Sequence, residues 1–299
     1  MKNLKIISLF VLFIALSGHL LAQTTLQVAT RFVEKTMTYK KGYDITIDGE
    51  KADVVVQTGN NVAIKIEVEL SAKHPNMDIA KRDLEAIKFV AEEIGKKIYV
   101  RNYVAVGKNE NKPQANLKAK YIITVPAECP VNLKNNFGKT NVSNLINYFD
   151  LYSEFCSITL NNLKGTINID TRYGDIDATQ LDGKVNIKSK RTDINLSQLK
   201  GSYDLTANYG SLRINGDLSA INLKINGEKA NVFFNPGNQP YNYAMTANNG
   251  AMNIPKDQNF SFTQNDANKR MAFLKSNNTN AATVQINLNF GSFNFVSRP

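Results

Sequence analysis

The feature that most restricts this chain is an 18-residue period that runs without a gap through residues 130–219. Its five copies begin at Pro130, Tyr148, Thr166, Lys184 and Ser202. The clearest, TINIDTRYGDIDATQLDG, is followed at once by KVNIKSKRTDINLSQLKG and SYDLTANYGSLRINGDLS. Places two and four of each copy are apolar, as in Ile167/Ile169 and Val185/Ile187. Places eleven and thirteen are mostly so, as in Ile176/Ala178 and Ile194/Leu196. The residue skipped inside each pair is usually polar (Asn168, Asn186, Asp177, Asn195). Alternation with a period of two marks a strand with one buried face, so each copy holds two short strands. Leu at place sixteen (Leu145, Leu163, Leu181, Leu199) adds an inward residue near the second corner.

Two strands and two turns enclose no core, whereas stacked copies do, because each Ile then lies on its equivalents at the strand spacing of ~4.8 Å. Gly165, Gly183 and Gly201 close their copies, and Gly138, Gly174 and Gly210 stand midway behind an aromatic residue, where a tight corner needs them. Three hexapeptides per turn would give the same period. They would also need an apolar residue at place ten, where this chain has Lys139, Ser157, Asp175, Asp193 and Ser211. The pattern continues more loosely: Ile221 and Leu223 open a sixth copy, YAMTANNGAMNI (243–254) matches 203–214, and VQINLNFGSFNF (284–295) repeats it again. The expected fold is mainly β, a parallel β-solenoid of about eight rungs with two strands each over residues 129–299. A polar loop, 255–282, is inserted between the last two rungs.

Residues 1–22 read as a secretory signal: Lys2 and Lys5, then IISLFVLFIAL, then a cut after Ala22. That apolar core is too short to span a bilayer. No Cys lies near the cut, so a lipoprotein is not expected. Residues 23–128 differ from the repeat. RFVEKTMTY, YDITIDG, ADVVVQTG and VAIKIEVEL read as strands between turn signals. A helix is predicted over 77–94, with Ala80, Leu84, Ile87, Ala91 and Ile94 on one stripe, Asn76 to cap it and Gly95 to end it. A strand, the polar loop GKNENKPQAN (107–116) and another strand follow. This region is expected to cover the open apolar face of the first rung.

Lys and Arg number 36 against 26 Asp and Glu, a net charge of +10. The lysines are spread along the chain without a nucleic-acid-binding motif, and an exported chain meets no nucleic acid. Weak attraction to anionic envelope polymers is the consistent consequence. His74 is the one histidine beyond the leader, which removes His-dependent triads and His-rich metal sites, and no cofactor is expected. Cys129 and Cys156 are one and a half periods apart, on opposite edges and out of disulfide reach, although export would favour a bond.

Asp175 and Asp193 share place ten, and Arg172 and Lys190 share place seven. Two carboxylates one strand spacing apart with bases nearby suit acid–base cleavage of a polysaccharide. Both also start turns into strands, where Asp is favoured by local hydrogen bonding, and that reading is preferred. The Asn and Asp residues of place three, Asn168 and Asn186 among them, point outward and either stack amide on amide or offer a polar face to a glycan. The aromatic residues of place eight (Phe137, Phe155, Tyr173, Tyr209 and, further on, Phe290) read as stacked corners. Exposed, they would form a sugar-stacking platform.

On the segments YDITIDGEKADVVVQTGNNVAIKIEVEL, the helix followed by KKIYVRN, TVPAECPVNLKNNFG and the YG corners, the chain resembles the toast-rack β-strand-repeat family of bacterial adhesin-like, secreted β-solenoid proteins. The resemblance covers nearly all of the chain beyond the leader. It implies a parallel β-solenoid with a role in adhesion or envelope-stress signalling, and it carries no catalytic residues. Phe155-Cys156 and Arg191-Thr192 depart from its aromatic-Gly corner. The resulting expectation is an exported, non-enzymatic interaction module in the periplasm or at the cell surface. It would touch an envelope protein or glycan through its edge rows and two long loops, with Asp175, Asp193, Arg172, Asn168, Asn186, Tyr173 and Tyr209 as candidate contacts. The alternatives are glycan binding through Tyr173 and Tyr209, and polysaccharide cleavage by Asp175, Asp193 and Arg172.

Overall fold

The computed structural model describes residues 25–60, 62–108, 111–216, 219–256 and 258–296; the expected leader lies outside the described residues. Its strands form two ladders of parallel neighbours. In the first, Lys97–Val104, Asp44–Glu50, Val131–Asn136 and Tyr148–Glu154 pair in that order. The C-terminal halves of Ser157–Arg172 and Asp175–Lys190 come next, then the N-terminal halves of Lys200–Asn215 and Ile221–Asn235, then Ala282–Asn289 and Tyr241–Asn248. The second ladder holds Asn116–Val125, Ala52–Thr58, Lys139–Ser143 and the remaining halves of the same long strands. Asp193–Ser197 pairs among those halves, and Ser292–Phe295 and Ala251–Asn253 end the row.

Register follows the period. Ile167 lies beside Val185, Ile158 beside Ile176, and Asp175 beside Asp193. Places two and four are buried from copy to copy, including Phe149, Leu151, Ile167, Ile169, Val185 and Ile187. Place six is also buried and is polar or small: Asn135, Ser153, Thr171, Ser189 and Ala207. Ser153 and Thr171 share a hydrogen bond of 2.9 Å across adjacent layers, which satisfies two buried hydroxyls. The strands are longer than the pattern suggests. Ser157–Arg172 and Asp175–Lys190 each carry 16 residues, running the second strand of one copy through the corner into the first strand of the next.

The corner at place eight is left-handed at every copy, with φ of 60° at Phe137, 55° at Phe155, 57° at Tyr173, 52° at Arg191 and 62° at Tyr209. The following residue alternates between glycine and a residue with a Cβ: Gly138, Cys156, Gly174, Thr192, Gly210. A Cβ on Gly174 would lie 2.0 Å from the Cys156 carbonyl oxygen, and one on Gly210 would lie 2.2 Å from that of Thr192. Cys156 and Thr192 are therefore not departures from a corner rule. They are the layers against which the glycine corners rest.

The ends depart from chain order. Asp44–Glu50 and Ala52–Thr58 lie between the layer of Lys97–Val104 and Asn116–Val125 and the layer of Val131–Asn136 and Lys139–Ser143. The ladders thus run on into the region expected as a separate cover. Cover is supplied by antiparallel additions: Ile87–Ile94 on Lys97–Val104, Ala63–His74 on Asn116–Val125, and Gln27–Thr38 outside that. At the other end Val284 pairs with both Leu223 and Tyr243, so the last stretch in sequence inserts before the one preceding it. The segment expected as polar loop 255–282 contains a hairpin, Ser261–Asn265 with Lys269–Leu274, docked antiparallel on Tyr241–Asn248. Phe260 from that segment joins Tyr243 and Phe295 at centroid distances of 5.4 and 5.8 Å, in a ring cluster at this end of the ladders.

The helix predicted over 77–94 is corrected to α1, Met77–Leu84. Asn76 caps it, its Oδ1 accepting from Asp78 N at 2.8 Å and Ile79 N at 3.3 Å. Ile87–Ile94 is instead a strand, joined to Lys97–Val104 by a turn in which Gly95 takes φ +63°. Spacings of three and four fit a helix stripe, but pairing with a neighbouring strand satisfies every second backbone group of this segment and leaves Ile94 in solvent.

Gly174→Ala is expected to destabilise the protein by about 1–3 kcal/mol through forced overpacking, and by more than Cys156→Ala one layer away. Thermal melts of the two variants check this; equal shifts would refute the close-approach account.

Candidate interaction surface

The corner row is the most regular exposed feature of the molecule. Phe137 and Phe155 stack at 5.0 Å with planes 4° apart, and Phe155 and Tyr173 at 4.9 Å and 7°. The Arg191 guanidinium continues the column, 5.7 Å from the Tyr173 ring and 5.7 Å from that of Tyr209, and Lys229 Nζ lies 5.4 Å from the other side of Tyr209. Strand spacing imposes this geometry, because it matches the separation at which rings and cations attract. The rings remain exposed, by 55% at Phe137, 48% at Phe155, 37% at Tyr173 and 39% at Tyr209. Their faces are turned to one another, so water meets ring edges. The face-on sugar platform considered for Tyr173 and Tyr209 does not exist in this arrangement. What exists is a rigid row of ring edges interleaved with cations.

Asp175 and Asp193 lie side by side in register and are both exposed. Asp193 Oδ1 accepts from Ser211 N at 2.8 Å and Ser211 Oγ at 2.9 Å, which ties it to the next layer's corner. Asp53 does the same at its own place ten, accepting from Lys139 N at 3.1 Å. Arg172 faces Glu154 across 3.6 Å, and the Tyr152 hydroxyl donates to the same carboxylate at 2.7 Å. Asn168 and Asn186 form one step of an amide ladder, Asn186 Nδ2 donating to Asn168 Oδ1 at 2.8 Å. Burial raises the carboxyl of neighbouring Asp150 above its ordinary range, opposed by a hydrogen bond from Asn168. Asn186 also belongs to a shallow groove of about 420 Å³ with Asp204, Asn222 and Lys224. Tyr173, Tyr209 and Arg172 therefore share the corner edge with the two aspartates, while Asn168 and Asn186 lie on the face of the first ladder.

Cys129 and Cys156 are buried free thiols. Burial, with the nearby Asp44 carboxylate, pushes the Cys129 thiol up to about 12, so it is no nucleophile. Among the described residues no group of three or more His, Cys, Asp or Glu could hold a metal ion. No helix among them is long and apolar enough to cross a membrane.

A second site lies where the regular corner is missing. Phe137 and Gly138 suffice to join Val131–Asn136 to Lys139–Ser143, whereas residues 105–115 join Lys97–Val104 to Asn116–Val125. This longer loop is held by Asp83 at the end of α1, which is 3% exposed and accepts from Gln114 N at 2.6 Å and Ala115 N at 2.8 Å, with Arg82 at 2.7 Å. Beneath the loop is a cavity of about 500 Å³. Sequence patterning marks the loop as a contact surface but not Asp83, since an acidic residue late in a helix carries no signal of what it clamps.

A family model described as Toastrack DUF4097 matches residues 43–295. No curated protein matches the chain. Among solved structures, a candidate adhesin from Bacteroides fragilis has 8% identity over 89% of this chain and 97% of its own, with a TM-score of 0.43. A candidate adhesin from Parabacteroides merdae has 12% identity over 89% and 96%, with a TM-score of 0.39. Likeness at that level carries no functional argument.

Burial acts to raise the Asp83 pKa, but the N–H of Ala115, the Arg82 side chain and the N–H of Gln114 outweigh it and hold it below the ordinary carboxylate value. A depressed folded value means that Asp83 stabilises the loop fully above the unfolded pKa of ~3.9, and that this is lost as pH falls through the folded value. Asp83→Asn is expected to cost about 1–3 kcal/mol at neutral pH and to flatten the acid limb of the stability curve. Denaturant titrations from neutral pH downward check both.

Proposed function

The chain belongs to the Toastrack DUF4097 family, and from that premise we propose that it is an exported, non-enzymatic, adhesin-like interaction module of the cell envelope. We read the two ladders as one β-solenoid of ten rungs, two of them contributed by residues 44–125. The observation that carries the functional reading is the corner row from Phe137 through Tyr173 and Arg191 to Tyr209 and Lys229. Non-glycine residues at positive φ are costly, and large side chains held in that state along an exposed edge invite a functional account. A stacked row loses little side-chain freedom on contact, which favours binding by pre-organisation. Ring edges are electropositive, as are the interleaved cations, so the row suits a partner that presents carboxylate or hydroxyl oxygens along an extended chain.

Polysaccharide cleavage is the rival, favoured by the placement of Asp175 beside Asp193. Against it, Asp193 is held by Ser211. Neither aspartate nor Arg172 lines any of the three cavities around Asn186, Val104 and Arg82.

Cell fractionation is expected to recover a mature chain beginning at Gln23 outside the cytoplasm. Purified protein should bind isolated envelopes saturably, and Arg191→Glu with Lys229→Glu should weaken this about tenfold or more while circular dichroism shows the β fold retained at the assay temperature. Cytoplasmic retention of the uncut chain would overturn the export reading. New reducing ends released from uronate or neutral polysaccharides, and abolished by Asp175→Asn, would restore the enzyme.

A further inference from the structure

The cavity under loop 105–115 combines two surfaces that rarely meet without a reason. One wall is apolar, built from Ile87, Val104, Val106 and Leu117. Among the described residues the rim carries Lys51, Lys108, Lys112 and Lys118 against one lining carboxylate, Glu50. Lys118 is engaged with Asp53 at 2.6 Å, while Lys51, Lys108 and Lys112 have no ion-pair partner among the described residues. Val104 and Val106 are each 40% exposed, so apolar surface faces the opening rather than the core.

The cavity is also held open. Asp83 fixes the Gln114–Ala115 side of the loop. On the other side Asn102 is buried and held by three hydrogen bonds: its Nδ2 donates to Glu50 O at 2.9 Å, and its Oδ1 accepts from Glu50 N at 3.2 Å and from the Tyr121 hydroxyl at 2.9 Å. A volume of about 500 Å³ falls within the ~300–1,000 Å³ of small-molecule sites. The next two layers bridge the same place with Lys51 alone and with Phe137-Gly138, so the extra chain serves no need of the ladder.

We propose that this cavity binds an anionic amphiphile, an acyl chain ending in a carboxylate or phosphate, with the chain on the Val104–Val106–Leu117 wall and the head among Lys51, Lys108 and Lys112. A free fatty acid and an anionic phospholipid both carry that chemistry. The site is separate from the corner row and does not depend on how the row is used.

The test uses the mature chain with dansyl-labelled undecanoate as probe, followed by dansyl emission against a background free of tryptophan. Saturable binding is expected, with displacement by oleate and displacement about tenfold or more weaker by methyl oleate, which lacks the charge. Lys108→Glu with Lys112→Glu should lower probe affinity about tenfold or more. Val104→Asp should remove binding, and because these side chains are exposed both variants should melt as the parent does. Displacement by oleate but not by phosphatidylglycerol vesicles supports the site and identifies a free acid as its source. Displacement by those vesicles and not by phosphatidylcholine vesicles supports it and identifies a lipid headgroup. Equal displacement by methyl oleate, or a probe affinity unmoved by the double lysine variant, overturns the proposal.

Discussion

Everything in this molecule depends on parallel strands lying in strict register, layer on layer. The pleat turns alternate side chains to opposite faces, so a slip of one residue would move Ile167, Val185 and their equivalents into water together. That collective penalty explains why the period stays at eighteen residues through five copies. It also explains why the surface is as regular as the core, because any outward place is carried from layer to layer by the same translation as the inward ones. The amide step between Asn168 and Asn186 and the ring column at Phe137, Phe155 and Tyr173 are consequences of core register.

The corners show how such a stack tolerates crowding. Left-handed backbone at Phe155 and Arg191 matches that at Phe137, Tyr173 and Tyr209. The layers differ only in the residue behind. Where that residue is glycine, the carbonyl of the layer beneath approaches to a distance no Cβ could accept; where it is Cys156 or Thr192, the carbonyl is the one being approached. Stacking of Tyr173 on Phe155, and of Arg191 between two tyrosines, helps offset the backbone cost of each corner.

The repeat was legible in the sequence because every copy states the same pattern and errors in one are corrected by its neighbours. Outside it there is no such redundancy. Asp44–Thr58 carries the same alternation as a copy, but α1 and two antiparallel strands separate it from Lys97–Val104, so nothing in the spacing reveals that the two are adjacent. The insertion of Ala282–Asn289 ahead of Tyr241–Asn248 is hidden for the same reason. Ile87, Ala91 and Ile94 satisfied a helical spacing by coincidence, and tertiary pairing decided against it. Among the candidate contacts, sequence placed Asp175 beside Asp193 and Asn168 beside Asn186 correctly, because register alone fixes those neighbours. The turning of the ring faces toward each other depends on spacing along the stack, which composition cannot express.

The same reasoning separates the two sites by kind. A row produced by translation offers one chemistry repeated at intervals of a strand, which suits extended partners and gives little discrimination among them. Discrimination needs groups that do not repeat, and the stack yields these only where its translation is broken. The break at 105–115 is such a place: Lys51 from one layer, Ile87 from an antiparallel addition, and Val104 and Leu117 from the two ladders meet there because the two-residue corner is absent. Four segments distant in sequence supply it, which is why no motif announces it. A buried aspartate from the only described helix holds it in shape.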